Sequence, residues 1–186
     1  MSKNKKKIII ATGGTGGHVF PAYSLASYFL EKNISTEIVI DARGFKFIQH
    51  YNFPNIKIIN SSTIFKKNPI LFFQAFLKII YAFFKSFLFL IKSRPTILFG
   101  MGGYASFPIC LAAKILRIPF IIYESNLYIG KANKYLLPFS HKLFVAYKET
   151  EGILEKYISK KVEIGNIIRK EILNYEPKKK SNFGNK

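Results

Sequence analysis

Two glycine-rich runs carry the densest chemistry in this sequence. The first, Thr12-Gly13-Gly14-Thr15-Gly16-Gly17-His18, follows a short apolar stretch and leads toward a helix-like segment containing Pro21. Without Cβ atoms its backbone can turn sharply and approach a ligand closely. Its peptide N–H groups, joined to a helix N-terminus, suit a phosphate or pyrophosphate. His18 stands at the exit, where an imidazole can act as a base or a donor. The second run, Gly100-Met101-Gly102-Gly103-Tyr104-Ala105-Ser106, repeats the strand-turn-helix setting. Two such turns at one sheet edge could grip the two phosphates of a pyrophosphate, with Ser106 either capping the following helix or donating to the ligand. The first run does not fit G-x-G-x-x-G cleanly, and no Gly-Lys-Ser/Thr follows it.

Two further motifs trail strand-like stretches. Tyr123-Glu124-Ser125-Asn126 offers a carboxylate and an amide for sugar hydroxyls, or a loop-stabilising carboxylate with an Asx turn. Gly165-Asn166-Ile167-Ile168-Arg169 ends in an arginine that could reach a phosphate or stand solvated.

The elements that must position these motifs alternate. Short β-branched apolar stretches predict strands at 7–11, 36–40, 56–59, 96–99, 119–123, 142–145 and 161–163. Helices are expected at 21–32, 44–51, 69–92, 106–116, 131–137 and 149–157, with Pro21 in the first turn of its helix. This order predicts an α/β fold, a doubly wound, Rossmann-like parallel sheet. Such sheets bind ligands at the carboxyl ends of their strands, where every motif above falls. Residues 1–173 are expected to form the domain, and the lysine-rich stretch 174–186 a polar tail or linker.

Composition narrows the class. Of 186 residues, 49% are hydrophobic, enough for a real core. The single Cys110 allows no disulfide within the chain and fits a reducing compartment. His18, His50 and His141 lie far apart, so no metal motif is present and no metal or cofactor is expected. The net charge of +19 favours phosphate-rich partners, although richness in Lys, Asn, Ile, Phe and Tyr is also what an A/T-rich genome produces. No basic recognition motif points to nucleic acid. The basic N-terminus has no apolar stretch or cleavage site of a secretory signal.

Residues 70–91 are almost wholly apolar and long enough to span a bilayer. Gln74, Lys78, Lys85 and Lys92 nevertheless fall on one helical stripe. Each lysine near a bilayer centre would cost about 2.5–3.5 kcal/mol. Phe72, Phe73, Phe76, Phe83, Phe84 and Phe87 exceed what one sheet-facing stripe needs, and Lys66, Lys67, Lys92 and Arg94 flank them. This pattern predicts a helix lying on an anionic membrane surface.

Taken together, the motifs resemble those of the MurG family, the bacterial lipid-linked N-acetylglucosaminyltransferases of peptidoglycan synthesis. TGGTGGHVFPA at 12–22 and GMGGYASFP at 100–108 look like the family's two glycine loops. YESN at 123–126, followed by Gly130, Asn133 and Lys134, is similar to its HEQN segment, with Tyr123 and Ser125 in place of His and Gln. GNIIR at 165–169 is similar to GNPVR. The resemblance covers residues 7 to about 173 and implies the N-terminal half of a two-domain GT-B glycosyltransferase. It implies transfer of GlcNAc from UDP-GlcNAc to undecaprenyl-pyrophosphoryl-MurNAc-pentapeptide, at the cytoplasmic face of the plasma membrane.

On that resemblance His18 is the catalytic base. Thr15, Gly16, Gly17, Asn126 and Arg169 contact the UDP-sugar. Gly13, Gly14, Gly102, Gly103, Tyr104 and Ser106 hold the acceptor pyrophosphate, and Glu124 supports them. The donor domain is expected from outside these residues, a separate chain being one source, and the present chain alone is expected to be inactive. Two rival expectations are the acceptor subunit of another split polyprenyl-linked glycosyltransferase and a non-enzymatic module for anionic membranes.

Overall fold

The computed structural model describes residues 6–62, 68–169 and 172. The expected tail at 174–186 and the flanking Lys66 and Lys67 lie outside the described residues. Seven parallel strands form one sheet: β1 (Lys7–Thr12), β2 (Ser35–Ile40), β3 (Ile56–Ile58), β4 (Ile97–Gly100), β5 (Phe120–Glu124), β6 (Lys142–Val145) and β7 (Lys161–Glu163). Their spatial order is β3-β2-β1-β4-β5-β6-β7. The chain therefore reverses its direction of growth between β1 and β4, which opens a crevice at their carboxyl ends.

Five helices cover the sheet: α1 (Gly16–Glu31), α2 (Ala42–Ile48), α3 (Pro69–Ser93), α4 (Ser106–Ile115) and α5 (Lys131–Leu136). Alternation along β1 feeds two cores. Ile9 and Ala11 join the cluster that includes Leu90, Ile109 and Leu136 from α3, α4 and α5. Ile8 and Ile10 join Val19, Ala22 and Ile48 from α1 and α2 on the other face. Cys110 is buried in the first cluster, and burial pushes its thiol pKa far up, so it serves as packing.

Two expected helices change. The one expected at 149–157 is replaced by a 3-10 turn, Glu155–Lys160. Upstream, the Glu151 N–H donates to Leu127 and the Glu151 carbonyl accepts from Ile129, so this stretch is held extended against residues 127–129. The helix expected from Pro21 begins five residues earlier, at Gly16, and Pro21 lies inside it. Pro21 has no N–H for the Gly17 carbonyl, so one intrahelical bond is missing just past the first turn.

α3 explains the apolar run. Its N-cap is Asn68, whose side chain accepts from the Ile70 and Leu71 N–H groups. It ends at Arg94 in a left-handed conformation. Ala75, Ala82, Ser86 and Leu90 form its buried face, and the small side chains let it lie close on α4. Phe72, Phe73, Phe76 and Phe84 are exposed, as are Gln74, Lys78, Lys85 and Lys92. Phe83 and Phe87 are a correction: they border the buried face and pack on the core rather than facing outward. α3 is long and apolar enough to cross a membrane by length and composition, and 22% of its apolar window is buried. One side is tied to the domain, and the chain before and after it returns to the same sheet.

Orientation of α3 is directly testable. Leu90 is fully buried, whereas Leu88, two residues away, is 60% exposed. Leu90→Ala is expected to lower unfolding free energy by about 2–5 kcal/mol in urea titration, and Leu88→Ala by less than about 0.5 kcal/mol. Equal losses would contradict this assignment of faces.

Candidate functional site

The site is assembled at the β1/β4 crevice. Ala11 lies opposite Gly100 in the parallel ladder, and the Met101 N–H continues the pairing by donating to the Ala11 carbonyl at 2.8 Å. The two glycine loops thus leave adjacent strands side by side and touch. A Cβ on Gly103 would stand 2.7 Å from the Gly13 carbonyl oxygen, and Gly103 has φ +74, a conformation that favours glycine. A Cβ on Gly13 would stand 2.6 Å from that of Ala105. Gly13 is buried in this contact and packs the loops together.

The helix start supplies the donors. Thr15 is the N-cap of α1 in extended conformation, with no side-chain capping bond. Its carbonyl accepts from the His18 and Val19 N–H groups. The Gly16 and Gly17 N–H groups are first-turn donors without intrahelical acceptors, at the positive end of the helix dipole. No acidic residue occupies this first turn. Thr15 and Gly17 are exposed.

Gly14 is a correction. Its N–H donates to Asp41 Oδ1 at 2.9 Å, so this amide is already engaged. Asp41 is a residue that sequence reasoning missed. It is buried at the end of β2 and caps α2, where the same Oδ1 accepts from Gly44 N–H at 2.8 Å. Its Oδ2 pairs with Arg43 at 2.9 Å, which offsets its negative charge beneath the first glycine loop. A strand followed by Asp and a helix is an N-cap signal, but nothing local announces a contact 27 residues upstream.

His18 lies between the loops. Its Nδ1 is 2.7 Å from where a Cβ on Gly102 would stand, so Gly102 makes room for the ring. Burial lowers the His18 pKa below its ordinary 6.5, against upward pulls from Glu124 and from a hydrogen bond with the Met101 backbone. The imidazole is therefore neutral at pH 7 and able to accept a proton. The Thr12 hydroxyl donates to the His18 carbonyl at 2.9 Å and fixes this turn.

Ser106 is also corrected. Ala105 occupies the N-cap of α4, and the buried Ser106 hydroxyl donates to the Gly103 carbonyl at 2.9 Å. It braces the second loop from a fully buried position. Gly103 and Tyr104 remain partly accessible on that loop, while Gly102 is buried.

Glu124 organises the third motif. Oε1 accepts from the Asn126 N–H and Nδ2, and Oε2 from the Gly130 N–H and Asn133 Nδ2, at 2.7–3.1 Å. Of the two readings of this motif, the loop-stabilising carboxylate is the one the geometry supports. Asn126 itself is exposed beyond this turn. Tyr123 acts elsewhere. Its phenol donates to the Gly165 carbonyl at 3.2 Å and accepts from the Ile167 N–H at 3.3 Å. That clamp draws the last motif to the sheet edge. Arg169 then stacks on the Phe20 ring at 4.2 Å and donates to the Tyr51 hydroxyl at 3.3 Å. Phe20 lies against Gly16, so Arg169 is held over the first turn of α1. Among the described residues, no cluster of His, Cys, Asp and Glu could hold a metal ion.

Two outcomes are expected. Gly103→Ala should cost about 1–3 kcal/mol in chemical denaturation, through strain and the clash with Gly13. A change below a few tenths would contradict the loop contact. The His18 ring, followed by NMR, should titrate below 6.5. Between that ordinary value and its own, the unfolded chain binds a proton that the folded chain refuses, so stability should fall as pH falls through that window. A midpoint at or above 6.5 would contradict the buried neutral ring.

Comparison with known proteins gives the same frame. The glycosyltransferase family 28 N-terminal domain matches residues 8–145. The UDP-N-acetylglucosamine–N-acetylmuramyl-(pentapeptide) pyrophosphoryl-undecaprenol N-acetylglucosamine transferase of Pelagibacter ubique is 36% identical over 176 residues, covering 95% of this chain and 49% of that protein. The enzyme of the same name from Rickettsia canadensis is 36% identical over 170 residues, covering 91% and 46%. Acinetobacter baumannii MurG superposes with a TM-score of 0.70 at 26% identity, over 85% of this chain and 45% of that one. A UDP-GlcNAc 2-epimerase from Neisseria meningitidis, at 18% identity and a TM-score of 0.60, shares the fold. The chain spans about half the length of the curated relatives it matches. With the glycine corner, the parallel sheet and this match over most of its length, the chain belongs to glycosyltransferase family 28 and carries that family's N-terminal domain.

Proposed function

We propose that this chain is the acceptor-binding half of an N-acetylglucosaminyltransferase of peptidoglycan synthesis. The acceptor is undecaprenyl-pyrophosphoryl-MurNAc-pentapeptide and the donor is UDP-GlcNAc. The observation that carries this reading is the contact between the two glycine loops, with neutral His18 between them and the first-turn amides of α1 beside it.

In this reading the acceptor pyrophosphate lies against the Gly103–Tyr104 side of the crevice. His18 takes the proton of the acceptor hydroxyl, whose oxygen attacks the anomeric carbon of the donor sugar. UDP departs and the configuration inverts. Thr15, Gly16, Gly17 and Arg169 face the donor phosphates, where fixed N–H dipoles and a guanidinium stabilise the negative charge of the leaving group. Asn126 serves the donor from the third loop, and Glu124 holds that loop. A second domain supplies the remaining donor contacts, in the same protein or in a partner chain, and transfer requires it.

The exposed aromatic side of α3 supports a peripheral position on the cytoplasmic face of the membrane. Phe72, Phe73, Phe76 and Phe84 enter the interfacial layer, and Lys78, Lys85 and Lys92 meet anionic headgroups.

Vesicle co-sedimentation tests the reading. Anionic vesicles doped with the lipid-linked MurNAc-pentapeptide should bind the chain more tightly than plain anionic vesicles. Gly103→Ala, which wedges the two loops apart, should remove about tenfold of that gain and leave plain-vesicle binding unchanged. Equal binding to both vesicles would favour a lipid-surface module with no acceptor site.

A further inference from the structure

A cavity of about 640 Å³ opens between α3, α4 and α5. Its walls are Ile80, Phe83 and Phe84 of α3, Phe107 and Leu111 of α4, and Tyr135 of α5. The size suits a small-molecule ligand and the walls suit hydrocarbon. Two of its neighbours say which hydrocarbon. Tyr104, the residue that follows Gly103, is one of its walls. The exposed Phe76 and Phe84 of α3 are walls too, so the cavity opens onto the aromatic face of that helix. A ligand filling both cavity and corner is an amphiphile: an anionic phosphate head, then an apolar chain leading outward toward the lipid-facing helix.

We infer that this cavity receives the head-proximal isoprenoid units of a polyprenyl pyrophosphate, so that the chain recognises part of the lipid tail as well as its diphosphate. The inference rests on the acceptor reading above, because the corner supplies the anchor for the head. It makes α3 both a surface anchor and one wall of a substrate channel. Half-buried Phe83 fits this double role: it packs on the core with one part of its ring and lines the cavity with another. Phe76 and Phe84, exposed on the outer side, also border the opening.

Isothermal titration of the full chain, without vesicles or detergent, separates the contributions. The probes are farnesyl pyrophosphate, farnesol and inorganic pyrophosphate, each below its aggregation limit. Farnesyl pyrophosphate should bind roughly 100-fold more tightly than inorganic pyrophosphate, the increment expected from burying a few methylene equivalents. Ala132→Phe, which fills the cavity from α5, should abolish that advantage and leave inorganic pyrophosphate binding unchanged. Ile80→Gln, on a partly exposed wall, should reduce it in the same direction without burying a large group. Equal affinity of the two pyrophosphates, or an advantage that survives both variants, would overturn the inference while leaving the corner intact. Farnesol binding that is blocked by Ala132→Phe, with no binding of inorganic pyrophosphate, would instead keep the cavity and overturn the anion corner. The sequence contains no tryptophan, so Phe107→Trp places a single tryptophan, selectively excited at long wavelength, in the cavity wall. Its emission should respond to farnesyl pyrophosphate and not to inorganic pyrophosphate.

Discussion

The parallel pairing of β1 with β4 is the constraint on which the rest depends. It sets Ala11 opposite Gly100, and both strands end there in a glycine turn. The turns meet at Gly13 and Gly103, and a side chain at either position would force them apart. A right-handed crossover from β1 puts α1 on one face, and the later crossover from β4 puts α4 on the other. Two helix starts therefore converge on one crevice from opposite sides of the sheet. The convergence concentrates N–H donors where no side chain could reach so closely.

Buried carboxylates hold this arrangement in place. Asp41 ties Gly14 to the start of α2, and Glu124 ties the third loop to α5 through four acceptor contacts. Each negative group is fully engaged by donors, so neither is left to repel an incoming anion freely. Arg43 further offsets Asp41, and Arg169 is held over the first turn of α1 by Phe20. In a chain of net charge +19, the acidic groups near the crevice act as scaffolding rather than as a field. Tyr123 adds a neutral clamp, carrying the Gly165–Ile167 segment to the sheet edge.

Much of this is legible in the sequence. All seven strands lie within one residue of their expected ends; the central ones are buried apolar runs bounded by polar or glycine residues, whereas the edge strands β3 and β7 are largely exposed. The placement of the motifs at strand ends follows from the same alternation. The differences have longer-range causes. The expected start of α1 falls too late because Gly16 and Gly17 read as loop, whereas here they open the helix. Gly14 and Ser106 read as ligand-facing, but partners distant in sequence or within the turn claim their polar groups. Phe83 and Phe87 read as membrane contacts because composition cannot assign faces on a helix that is apolar nearly all round. The role of Tyr123 depends on a contact 42 residues away, beyond any local pattern.

The central claim is that the two loops, joined at Gly13 and Gly103, form one crevice that takes phosphate on both its donor and its acceptor side. Titration of the ¹⁵N-labelled chain with inorganic pyrophosphate tests it most directly. The amide signals of Gly16 and Gly17, on the donor side, and of Gly103 and Tyr104, on the acceptor side, should all move. Movement confined to one loop, or absent from both, would contradict it.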